Sequence, residues 1–183
     1  MMTAGRTVVG QRLDWGTPSK YLTPVREFFG GVIQLDPCSN RYSIVDAVVE
    51  YSLPYQDGLL ESWDFETIFV NPPFGRDPVR GTRIGDWLQR CASMPKADVL
   101  ALVPVATNTG HWKKYVYGKA SAICFLSDTR LRFLIKGKEE GTGAPMACAM
   151  IYWGHKFEQF SKIFTPFGAV VNIELLGRGR GKK

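Results

Sequence analysis

Four consecutive residues, Asn71-Pro72-Pro73-Phe74, follow directly on the apolar run at 67–70. The two prolines fix the backbone and remove two N–H donors, which leaves carbonyl groups to accept hydrogen bonds. Asn71 adds a side-chain carbonyl and Phe74 a flat apolar face. A planar ring bearing an –NH₂ group suits such a turn. Its other explanation is a rigid exit from a strand. A chance match to N-P-P-[F/Y] is expected on the order of once in several hundred unrelated chains of this length. It is rarer still directly after an apolar run. Two more polar turns occupy equivalent places: Asp36-Pro37-Cys38-Ser39-Asn40 after the run at 31–35, and Pro104-Val105-Ala106-Thr107-Asn108 after the run at 98–103. Ligands of open α/β sheets bind beyond the carboxyl ends of the strands, so the three turns are expected on the rim of one cleft.

The elements that must position these turns are legible in the apolar spacing. The runs at 31–35, 67–70 and 98–103 are nearly continuous, as in parallel strands covered on both faces. Between the last two, Ile84, Trp87, Leu88 and Cys91 fall at helical spacing opposite Arg83, Asp86, Gln89 and Arg90. This predicts a helix over 82–94 with Thr82 as N-cap and Pro95 as stop, completing a βαβ unit. Thr17-Pro18 and Thr23-Pro24 each read as an N-cap with a first-turn proline, for a helix that Gly30-Gly31 ends. Trp112, Tyr115 and Val116 share another helical face. Strands are expected over 122–126, 130–135 and 146–153, the last two joined as a hairpin through the glycine-rich stretch 136–143.

In this order the motifs resemble the phage-type DNA N6-adenine methyltransferases, over about residues 15–153. The resemblance rests on Trp15-Gly16-Thr17-Pro18, Leu35-Asp36, Asp57-Gly58-Leu59 with Trp63, Asn71 to Phe74, and Trp87. It continues through Leu102-Val103-Pro104, Thr107, Thr109 and Trp112, then Arg130-Leu131-Arg132-Phe133 and the small-residue strand from Pro145 to Tyr152. It implies an α/β fold, a reduced Rossmann-like S-adenosylmethionine-dependent methyltransferase fold with a mixed, mostly parallel sheet and a C-terminal hairpin. The reduction follows from the stretch 41–56, which is too short for a full strand–helix–strand excursion. Where many relatives carry glycines after the first Asp, this chain has Cys38-Ser39-Asn40.

The resemblance also implies roles. Asn71, Pro72, Pro73 and Phe74 are the catalytic turn: the Asn71 side-chain oxygen and Pro72 carbonyl hold the adenine amino group, and Phe74 stacks on the base. Trp15, Thr17, Pro18, Asp36, Pro37 and Asp57 are expected to bind S-adenosylmethionine. Taken singly, Asp36 also suits a strand-end carboxylate satisfying local donors, and Asp57 a turn residue. The partner is double-stranded DNA with the target base flipped out. Arg76, Arg80 and Arg83 are candidates for phosphate contact, as are Arg178, Arg180, Lys182 and Lys183 in the tail. Competing readings are methylation of another planar amino group (cytosine N4, ribosomal RNA guanine or protein glutamine) and a non-catalytic DNA-binding protein on the same fold. The motifs flanking the turn favour DNA adenine, with bacteriophage or restriction–modification as the setting.

The 183 residues carry 23 Lys+Arg, 17 Asp+Glu and two His, for a formal charge of +6. This composition suits one folded domain over 13–176, with a flexible N-terminus at 1–12 and a basic flexible tail at 177–183. The four tail cations account for most of the excess, and without them 19 bases face 17 acids. Cys38, Cys91, Cys124 and Cys148 form no C-x-x-C pair, and with only His111 and His155 no metal cluster can be written. They are expected as free, mostly buried thiols. His111 is expected at the surface and Trp112 in the core. No apolar run reaches the roughly 18 residues of a membrane span and no signal-peptide core is evident, so a cytoplasmic location is expected.

Overall fold

The computed structural model describes residues 15–128, 131–139 and 146–174. The expected flexible N-terminus and basic tail, with Arg178, Arg180, Lys182 and Lys183, lie outside them. The strands are β1 (Trp15–Gly16), β2 (Leu35–Asp36), β3 (Val49–Glu50), β4 (Thr67–Val70), β5 (Asp98–Pro104), β6 (Ala122–Leu126), β7 (Leu134–Ile135), β8 (Lys138–Glu139), β9 (Cys148–Trp153) and β10 (Gly168–Asn172). The helices are α1 (Ser19–Phe28), α2 (Ile84–Ala92) and α3 (Phe157–Phe164), with a π-helical turn at Trp112–Val116.

Seven strands form the main sheet in the order β10-β6-β9-β5-β4-β2-β3. The pairs β2·β3, β2·β4 and β4·β5 are parallel, and β5·β9, β6·β9 and β6·β10 are antiparallel. The sheet is therefore mixed. Its pairings divide evenly rather than being mostly parallel, because reversed β9 is inserted between β5 and β6. From β2 the chain passes to β3 on one side, then crosses to β4 on the other. This places a topological switch point between β2 and β4.

The continuous apolar runs do cover both faces. On one face Ile68, Val70, Val99, Ala101, Val103, Ala149 and Ile151 pack with Trp87, Leu88 and Cys91 of α2 and with Trp112. On the other, Phe69, Leu100, Leu102, Met150 and Tyr152 pack with Tyr21, Leu22, Val25 and Phe28 of α1 and Phe160 and Phe164 of α3. The two-residue alternation of a strand sends successive side chains into different cores. All four cysteines are free, and Cys91, Cys124 and Cys148 are buried.

Several expectations need correction. The hairpin does not join 130–135 to 146–153. Lys136 and Gly137 both take positive φ (50° and 75°), the geometry of a two-residue turn, so β7 folds back at once onto β8 with Ile135 opposite Lys138. The other edge of β7 pairs with β1, making a small three-stranded sheet, while the wholly buried β9 joins the main sheet. The first strand begins at Leu35 because Gly30 and Gly31, both left-handed, belong to the stop of α1, where the Gly31 N–H bonds the Arg26 carbonyl at 2.7 Å. Pro18 rather than Thr17 caps α1, and Pro24 lies inside it; Thr23 donates to the Ser19 carbonyl instead of capping. Helix α2 starts at Ile84 because Asp86 accepts the Arg83 N–H at 2.7 Å. No element was anticipated for α3 or β10.

Candidate active site

Because β2 and β4 are neighbours, the turns that leave them meet. A cleft opens there. Its walls come from Trp15, from Pro37 to Asn40, from Tyr51, Leu53, Gln56 and Gly58, and from Asn71 to Phe74 with Arg80 and Trp87. Ligands of doubly wound sheets bind at such a switch point. The third turn, 104–108, contributes no wall residue, so two of the three expected rims build the cleft.

The Asn71–Phe74 turn is held from several sides. Asn71 is half-buried and Pro72 buried, and among the described residues no hydrogen bond takes up the Asn71 side-chain amide or the Pro72 carbonyl. Phe74 meets Trp15 edge-on with centroids 6.0 Å apart, and Phe133 at 5.4 Å. Trp15 in turn stacks on Phe133 at 5.0 Å and 11°. The small sheet explains this grouping, since β1 carries Trp15 and β7 follows Phe133 directly. Thr17 and Pro18 are buried behind Trp15 in sequence and line no part of the cleft. Among the described residues the Thr17 hydroxyl has no partner.

Asp36 is buried, and its Oδ1 accepts the Cys38 N–H at 3.0 Å. Burial raises its pKa to about 7, and nearby Glu50 adds to the rise. Burial likewise pushes up the Cys38 thiol, which faces Asp36 and the Asn71 N–H. Glu50, at the end of β3, accepts from the Ser39 hydroxyl at 2.7 Å and the Ala47 N–H at 3.2 Å. Gly58 passes so near the other strand end that an added Cβ would lie 1.7 Å from the Pro37 carbonyl oxygen. Its own carbonyl accepts the Trp63 indole N–H at 2.7 Å.

An ionic bridge ties the two sides of the cleft. Arg80 Nη1 meets Asp57 Oδ2 at 2.8 Å, and Arg80 Nε meets Asp77 Oδ2 at 2.5 Å. Asp57 also accepts the Leu59 N–H at 3.1 Å. Burial opposes the Arg80 charge, but the two carboxylates hold its pKa above the ordinary value. Hydrogen bonds from Arg80 hold the Asp77 carboxyl below its usual range. The third guanidinium nitrogen, Nη2, is buried without a partner among the described residues, in a residue that lines the cleft. Arg76 and Arg83 are exposed.

A DNA N-6-adenine-methyltransferase family model matches residues 5–180, nearly the whole chain. The chain belongs to that family. It is a DNA N6-adenine methyltransferase. Neither a curated protein nor a solved structure matches it.

Within the methyltransferase, Trp15, Pro37 and Asn71 to Phe74 stand in the cleft wall. Asp36 and Asp57 adjoin it, Thr17 and Pro18 stand off it, and Arg80 belongs to the bridge rather than to an open basic loop. Sequence reasoning passed over Glu50, Tyr51, Leu53, Gln56, the close approach of Gly58 to Pro37 and the paired state of Arg80. The Asp-Gly dipeptide signalled a turn, but what the glycine approaches is a tertiary fact. His111 is half-buried, with burial lowering its pKa, and bonds Thr109 Oγ1 at 3.1 Å rather than standing free at the surface. Trp112 is fully buried. Among the described residues no helix is long and apolar enough to cross a membrane, and no three His, Cys, Asp or Glu side chains converge as a metal site.

Proposed function

We propose that the cleft between β2 and β4 binds S-adenosylmethionine beside a flipped-out adenine, on a reduced Rossmann-like methyltransferase fold. The meeting of the Asn71 turn with the Asp36–Asn40 turn at the switch point carries this reading. The cleft suits the cofactor's chemistry: it has acceptors at its edge and a buried Arg80 donor that has no partner among the described residues. When bound, S-adenosylmethionine supplies an activated methyl group on its sulfonium.

The chain's own residues prepare the acceptor nitrogen. The adenine amino group is a poor nucleophile because its lone pair is delocalised into the ring. Asn71 Oδ1 and the Pro72 carbonyl accept hydrogen bonds from its two N–H groups, favour a pyramidal nitrogen and direct the restored lone pair into the cleft, and the one proton that the methylated nitrogen must lose passes to water. These acceptors are fixed before the base arrives, so catalysis rests on positioning and preorganised electrostatics. Phe74, braced by Trp15 and Phe133, offers a face to the base. Flipping the base costs about a few kcal/mol, which phosphate contacts from Arg76 and Arg83 help to offset.

Incubation with methyl-labelled S-adenosylmethionine and unmethylated duplex DNA, then digestion to nucleosides for mass spectrometry, tests the reading. Label is expected on N6-methyladenine. Absence of cofactor binding, or label confined to 4-methylcytosine, RNA or protein, overturns it.

A further inference from the structure

The loop that follows the catalytic turn, residues 75–83, is braced internally and presents an apolar tip. The Asp77 N–H bonds the Thr82 carbonyl and the Gly81 N–H bonds the Asp77 carbonyl, both at 2.9 Å. Asp77 Oδ1 accepts the N–H groups of Val79 at 2.8 Å and Arg80 at 3.1 Å. The Arg80–Asp57 ion pair then fixes the loop to the far side of the cleft. At the tip, Val79 is 92% exposed. Its side chain adds nothing to either core. Exposed Arg76 and Arg83 flank it on both sides.

We infer that Val79 is the wedge of this enzyme: it enters the duplex and fills the space vacated by the target adenine, while Arg76 and Arg83 seat the flanking phosphates. Apolar side chains inserted between base steps, with cations on the adjoining backbone, are a recurrent way to distort DNA. A loop ordered beforehand loses little further entropy on insertion, and one continuous with Asn71–Phe74 delivers the extruded base directly to its acceptors. Tyr55 and Leu60 are also exposed, at 89% and 84%. Neither lies on the catalytic loop nor between two exposed arginines. The inference rests on the base-flipping reading above.

The test uses duplexes carrying 2-aminopurine in place of the target adenine, at a site mapped by sequencing DNA from an expressing host. With the wild-type enzyme, fluorescence rises as the base leaves the stack. Val79→Ala and Val79→Ser are expected to lower that rise, and kcat/KM on matched duplex, by about fivefold or more, whereas Val79→Leu retains both. An abasic position opposite the target, or single-stranded DNA, is expected to bring the alanine variant within about twofold of wild type, because nothing then needs to be displaced. Wild-type flipping by the alanine and serine variants overturns the wedge. So does an equal loss on single strands, which would mark a fault in folding or chemistry, or the same pattern from Tyr55→Ala with Val79→Ala silent. Methylation by the wild type without any fluorescence rise overturns base flipping itself, and the wedge with it.

Discussion

Asn71 differs from an ordinary turn asparagine: among the described residues its side-chain oxygen is left unspent beside a carbonyl that is equally unspent. Asn71→Ala is therefore expected to lower turnover by about 100-fold or more with little change in melting temperature, since no internal hydrogen bond is lost. A folded variant with near-wild-type kcat refutes the role. Asp36 carries the opposite burden. An acid whose folded pKa lies above its unfolded one holds its proton more tightly when folded, so its contribution to stability is full below about 3.8 and is lost as pH rises through about 7. Asp36→Asn keeps an acceptor for the Cys38 N–H and removes the buried charge. Above pH 7 the variant is expected to gain on the order of 2–4 kcal/mol relative to wild type, with the difference vanishing near pH 4. Denaturant midpoints across that range decide it; parallel curves for the two proteins reject a buried, titrating carboxyl.

Among the elements, the D-G-L turn and the loop at 71–83 act as one unit through two contacts of different kinds. Gly58→Ala sets a methyl group against the Pro37 carbonyl, and moving backbone to relieve it is expected to cost about 2–4 kcal/mol in urea unfolding. Arg80→Gln breaks the bridge between Asp57 and Asp77 and leaves a half-buried and a buried carboxylate without their cation. About a tenfold rise in the dissociation constant for S-adenosylmethionine is expected, read by calorimetry, from the loss of charge-assisted bonds worth roughly 1.5–3 kcal/mol each. An unchanged constant would make the bridge a matter of stability alone. The apolar runs at 67–70 and 98–103, helix α2 and the Asn71 turn were legible because each is declared by local spacing. The partners of β7 and β9 were not. Both segments have strand composition, and only the positive φ at Lys136 and Gly137 and the gap between β5 and β6 decide where each goes. The paired state of Arg80 was hidden for a related reason: an arginine in a polar loop carries no local sign of the aspartate 23 positions earlier.

For the whole molecule, charge and chemistry are separated along the chain. The four tail cations leave near neutrality behind them. Truncation after Gly177 is expected to weaken duplex binding and reduce the slope of log K against log salt by up to roughly 3–4, while single-turnover methylation at saturating DNA survives. An unaltered slope would show the tail to be incidental. The site itself is assembled from distant parts of the sequence, with Trp15, Phe74 and Phe133 sharing one aromatic cluster. During synthesis the Asn71–Phe74 turn therefore leaves the ribosome well before the ring that braces it. A nascent chain that already displays Asn71 to Phe74 lacks Phe133 and β7, so the support for Phe74 is completed only late in translation, a built-in delay between making the motif and making the enzyme.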